Sequence, residues 1–144
     1  MDAKKGTTSL NMAKTMKVIE QAFRIYISEL HIEFPSQVLV ILMITYYHQG
    51  IIQQDIAEIV KKDKSAVLRQ IDMLEEKGLI RRQADENDRR KKFIILTDEG
   101  TKVAQTLAKK EAEFFRLLLH GVNQQEVETF EKVLTVLKTN AENI

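Results

Sequence analysis

The stretch DKSAVLRQIDMLEEKGLIRRQADENDRRKKFIILT, residues 63–97, decides how this chain folds. Asp63 can cap a helix over Lys64–Lys77, because its short carboxylate accepts from first-turn amides, and Gly78 supplies the left-handed residue that ends one. At about 100° per residue, Val67, Ile71 and Leu74 share one face of that helix, while Ser65, Arg69, Asp72 and Glu76 lie opposite. Leu79-Ile80-Arg81-Arg82 and Lys92-Phe93-Ile94-Ile95-Leu96 follow as short strand-like runs, and the polar stretch Gln83 to Lys91 separates them. This pattern predicts a β-hairpin with a charged tip, where Asp88 precedes four consecutive cations, Arg89, Arg90, Lys91 and Lys92.

Upstream, Gln53 to Val60 reads as a short helix with Ile56, Ala57 and Val60 facing inward. Gly50 separates it from Gln37–His48, a largely apolar segment whose β-branched content also suits a strand and which is read as helix from its context. Before the break at Phe34-Pro35-Ser36, the stripe Met12, Met16, Ile19, Phe23, Ile27, Leu30 marks a first amphipathic helix. Downstream, Thr97 can cap a long helix through about His120, with Asp98 and Glu99 opposing the macrodipole and Gly121 closing it. Asn123 and Glu126 have capping-box spacing, and Val127, Phe130, Leu134 and Leu137 stripe a final helix.

The fold expected is mainly α (α+β). Two short helices, a tight connection and a basic strand-turn-strand are the order of a winged helix-turn-helix, here with a two-stranded β-hairpin wing. The whole of 1–144 reads as one domain, with 35–97 as the DNA-binding core and 10–34 and 98–144 as flanking helices for dimerisation. The apolar stripes of those flanks exceed what a lone winged helix can cover, so a second copy of the chain is the expected partner.

Charge is segregated along the chain. Between Lys61 and Lys92 there are 11 Lys or Arg against 7 Asp or Glu, a net of +4 within a chain whose total is +1. A polyanion partner accounts for this, and on charge alone so does a solvated surface. In a helix-in-groove arrangement Arg69 reaches guanine O6 and N7 in the major groove, with Lys62, Lys64 and Ser65 near bases or phosphates. The tip cations Arg89, Arg90 and Lys91 suit a narrow minor groove of negative potential. Asp72 and Glu76 on the same helix face repel phosphate unless the helix tilts away.

Asp85-Glu86-Asn87-Asp88-Arg89-Arg90 followed by Ile95-Leu96-Thr97-Asp98-Glu99-Gly100 resembles the wing and helix start of the multiple antibiotic resistance regulator (MarR) family. Gln54-Asp55-Ile56-Ala57 and Leu74-Glu75-Glu76-Lys77-Gly78-Leu79-Ile80 share that resemblance, which covers roughly Pro35 to Gly100. It implies a sequence-specific transcriptional regulator, a repressor by expectation, that binds a pseudo-palindromic DNA operator as a homodimer. It also implies that Arg90 enters the minor groove and that Asp88 braces it. Members of this family often hold a small aromatic or anionic effector near the first helices, which singles out His31, Tyr46, Tyr47 and His48 as an effector pocket. The chain departs from the family at Ile52, where a Thr or Ser usually caps the third helix, and at Ala66, where a hydroxyl is common.

Other functions find little support. Without cysteine there is no thiolate zinc site, cysteine nucleophile or disulfide framework, and a cytoplasmic location is expected. His31, His48 and His120 lack ligand spacing, so no metal and no cofactor are expected. The polar start Met1 to Gly6 lacks the apolar core of a signal peptide, and the apolar run Val38 to Ile44 is far short of the ~20 residues of a membrane span. No phosphate-cradling glycine loop or nucleophile elbow suggests an enzyme. The competing reading is a winged-helix module that binds an acidic protein surface in place of DNA.

Overall fold

The computed structural model describes residues 7–144, so the N-terminal segment read above, Met1 to Gly6, lies outside the described residues. The order of elements is α1 (Thr8–Tyr26), a 3-10 turn (Ser28–Leu30), α2 (Ser36–Tyr47), β1 (Ile51–Ile52), α3 (Gln53–Val60), α4 (Lys64–Glu76), β2 (Ile80–Ala84), β3 (Lys92–Leu96), α5 (Asp98–Leu118) and α6 (Gln124–Glu142). The chain forms two compact units, one running to Ala112 and the other Glu113–Ile144.

The first helix ends a turn before its apolar stripe does. Ser28 Oγ donates to the Ile25 carbonyl at 2.7 Å, which competes with the helical pattern, and His31 then takes a left-handed φ of 50°. The Arg24 guanidinium spans the connection to α2, donating to the Phe34 carbonyl at 2.9 Å and to Ser36 Oγ at 3.0 Å.

The core of the first unit is built around α2, which buries Val38, Leu39, Ile41, Leu42 and Thr45. A helix apolar on nearly every side can only be a central one. Ile56 and Ala57 of α3 and Val67, Ile71 and Leu74 of α4 complete that core with Ile80 and Ile94 of the sheet. Burying four or five such aliphatic side chains stabilises the unit by about 1.5–3 kcal/mol each.

The sheet has three antiparallel strands, in the order β1-β3-β2. The expected two-stranded hairpin is present as β2 with β3, from Ile80 opposite Leu96 to Ala84 opposite Lys92. Ile51 and Ile52 add a third strand opposite Ile94 and Phe93. Two residues are too few to display a period of two, so this strand left no pattern in the sequence.

Gly78 ends α4 with φ 70°, and its turn is fastened to the start of α5. Thr97 Oγ1 donates to the Gly78 carbonyl at 2.6 Å and accepts from the Gly100 amide at 3.0 Å, which also caps α5. A Cβ on Gly100 would sit 1.8 Å from the Leu79 carbonyl oxygen, so this close approach needs glycine.

In the second unit, Gly121 separates the end of α5 from α6, and Asn123 with Glu126 forms the full reciprocal capping box. No residue of α6 is buried. Phe130, Val133, Leu134, Val136 and Leu137 are each 44–56% exposed.

Candidate nucleic-acid interface

Helix α4 begins where Asp63 accepts from the Ser65 amide at 3.4 Å and from Ser65 Oγ at 3.2 Å. The Ser65 amide, then its hydroxyl, hold the Asp63 carboxyl below its usual range, and Arg69 adds to this. Ser65, expected to touch DNA, donates its hydroxyl proton to the helix cap. Lys62, Lys64 and Arg69 are exposed, while Val67, Ile71 and Leu74 face the core with no exposed surface. The two faces of the helix divide as the wheel requires.

The wing tip is held by carboxylates that accept backbone N–H groups. Asp85 accepts from the Asn87 amide at 2.7 Å and the Asp88 amide at 3.3 Å. Asp88 accepts from the Arg90 amide at 3.0 Å, and the Lys91 amide donates to the Asp88 carbonyl at 2.9 Å. Asp88, expected to brace Arg90, accepts from its backbone amide. Such Asx turns order the loop and leave Arg89, Arg90, Lys91 and Lys92 exposed.

Between α4, the start of α3 and the wing lies a groove of about 560 Å³. It brings together Lys64, Arg90 and Lys91 from the expected set and adds Gln53, Gln54, Leu68, Asp72, Arg82 and Lys92. Lys62, Ser65, Arg69, Asp88 and Arg89 are not among its lining residues. Arg82 has its side chain 17% exposed and was not singled out from sequence; its guanidinium reaches Asp72 at 2.5 Å and also pairs with Glu75. The signal for it was available. On β2 the alternation turns Arg81 outward and Arg82 inward, toward acids spaced one turn apart on α4.

The start of α3 carries no side-chain cap, as expected from Ile52 at that position. The proposed effector residues do not gather in one place. His31 lines a depression of about 270 Å³ with Arg24, Ile27, Ser28, Ile32, Glu33 and Leu39, at the first turn of α2. Tyr46, Tyr47 and His48 lie at the other end of α2 and outside that depression, with the two tyrosine rings edge to face at 5.2 Å.

A capped helix with an apolar inner face and a polar outer face that starts with Lys64 and Arg69, beside a two-stranded wing with an ordered basic tip, defines a winged helix-turn-helix domain. Residues 35–92 match the sequence model of the MarR family. It is 32% identical over 97 residues to an uncharacterized HTH-type transcriptional regulator of Bacillus subtilis, YybA, a match that covers 67% of this chain and 65% of that relative. The solved structure of the transcriptional regulator SlyA superposes with a TM-score of 0.83 at 25% identity, covering 95% of this chain and 96% of that one. The S. aureus MepR–DNA complex gives the same TM-score of 0.83 at 25% identity, covering 94% and 99%. Among the described residues no helix is long and apolar enough to cross a membrane.

Proposed function

We propose that this protein is a transcriptional regulator, not an enzyme, that binds a pseudo-palindromic operator as a homodimer and represses transcription in the cytoplasm. The observation that carries this reading is the groove between α4 and the wing, edged by Lys64, Arg90, Lys91 and Lys92. Its helix is shaped for a major groove and its basic tip for a minor groove. The similarity to MepR, solved as a DNA complex, supports the same partner. Exposed apolar residues on α1, such as Met16 and Val18 at 63% and 65%, and on α6, such as Phe130 at 56%, support a second copy as the other partner. A homodimer would present two recognition helices to two half-sites about one duplex turn apart. For release by a small aromatic or anionic effector, the depression lined by Arg24, His31 and Glu33 offers a place of about 270 Å³.

The test is the salt dependence of duplex binding. Each phosphate neutralised releases condensed counterion, so log K should fall steeply and linearly with log salt, by about 0.9 per contact. A slope near zero removes DNA from the partners and returns the wing to the role of a protein-binding surface.

A further inference from the structure

Arg82 does a task that no cation on the outer surface can do. It leaves β2 inward, and its guanidinium forks between Asp72 and Glu75 of α4, three residues apart on one helix face. Its backbone amide also donates to Glu75 Oε1 at 3.2 Å, so the strand is tied to the helix by main chain and side chain together. Asp72 and Arg82 both line the cationic groove, so an unpaired Asp72 carboxylate would face the same space as Lys64 and Arg90, while Glu75 anchors the guanidinium from beside it. Only a planar, multi-donor guanidinium can serve two carboxylates in this way; an ammonium is a point charge.

We propose that Arg82 is a positioning residue for DNA recognition: it masks the two acids on the recognition helix and locks that helix to the wing, so that both elements meet the duplex in one fixed geometry. This rests on the DNA-binding reading above. With Arg82 the cluster carries a net of −1; without it, −2. Phosphate then meets a more repellent groove, and the wing loses its tie to α4.

The experiment uses the full chain and a duplex selected by the wild-type protein from a random-sequence library, with a scrambled duplex as comparison. Arg82→Gln should bind the selected duplex about tenfold more weakly, in keeping with a half-exposed charge cluster, with an unchanged salt slope. The triple variant Arg82→Gln, Asp72→Asn, Glu75→Gln removes the bare acids. It should regain affinity for both duplexes yet discriminate less between them, because the charge is relieved but the tie is not restored. Arg82→Lys, which keeps the charge, covers the case in which Arg82→Gln fails to fold, and it should also lose discrimination. A salt slope reduced by about one in Arg82→Gln, with no recovery in the triple variant, would overturn the proposal and make Arg82 a direct phosphate contact. Unchanged binding by both Arg82→Gln and Arg82→Lys would overturn it too. Failure of the wild-type chain to enrich any duplex is a separate result: it sinks the DNA-binding reading and the role of Arg82 with it.

Discussion

Helices α4 and α6 have the same design at the level of sequence and opposite fates in the fold. Each is capped by a side chain, Asp63 in one and Asn123 in the other, and each carries large aliphatic residues at helical spacing. Yet Val67, Ile71 and Leu74 of α4 have no exposed surface, whereas Phe130, Leu134 and Leu137 of α6 are 44–56% exposed. Amphipathic spacing specifies a face to bury but not what buries it. For α4 the partners are α2, α3 and β2 of its own unit. For α6 the burial awaits the second copy proposed above, so the two helices should respond to mutation in different currencies: folding for one, assembly for the other.

The largest effect expected tests that division directly. Leu74→Ala should lower unfolding free energy by about 2–5 kcal/mol at any protein concentration, through lost transfer energy and the cavity it leaves. Leu134→Asp should barely change the fold of a single chain but shift its mass in sedimentation from about twice 16.7 kDa to 16.7 kDa. If wild-type protein sediments as a monomer at micromolar concentration, or Leu134→Asp unfolds as badly as Leu74→Ala, the contrast between the helices is wrong.

The next effect divides the outer face of α4 from the wing. Arg69→Ala should cost about 1–3 kcal/mol on the operator and much less on random DNA, since a major-groove contact reads the base. Arg90→Ala should weaken binding across sequences, since the minor groove distinguishes little beyond A·T from G·C. Asp88→Ala should act in the direction of Arg90→Ala but more weakly, because it removes the acceptor that holds the Arg90 amide, not the cation. Binding isotherms on operator and scrambled duplexes measure all three. Operator affinity unchanged in both arginine variants, with assembly intact, would refute the assignment of the two elements.

The smallest effect lies at the cap of α4. The carboxyl of Asp63 is held below its ordinary value by the Ser65 amide and hydroxyl, so its contribution to stability is complete above the usual carboxylate range and is lost as pH falls through the lowered value. Thermal unfolding of Asp63→Ala should thus fall short of wild type at neutral pH, and the two curves should converge in acid. A gap that stays constant down to pH well below the carboxylate range would show that the charge of Asp63 is irrelevant to its capping. The parallel capping box of α6, Asn123 with Glu126, has an uncharged cap residue and offers an internal comparison.

Much of the local structure that carries the candidate site was readable before any coordinates. The division of α4 into inner and outer faces, its cap at Asp63, its end at Gly78 and the hairpin from Ile80 to Leu96 all follow from residues within a few positions of one another. The effector residues show the limit of such reading, since Tyr46, Tyr47 and His48 are adjacent in sequence to one end of α2 and His31 belongs to the other. Spacing on a single helix says nothing about which cavity a neighbouring loop will close.

The sequence by itself determined the local pieces, because caps, left-handed glycines and helical or strand alternation act between residues one to four apart and need no other part of the chain. Only the tertiary structure decided that Ile51–Ile52 joins β3, that Thr97 and Gly100 clasp the turn at Gly78 and Leu79, and that Arg82 ties the wing to Asp72 and Glu75. Each of these depends on packing that brings distant segments within a few ångströms, and the residues that take part have many partners of suitable chemistry elsewhere in the chain. Which partner is chosen is set by where the buried faces of α2, α3 and α4 come to rest against one another.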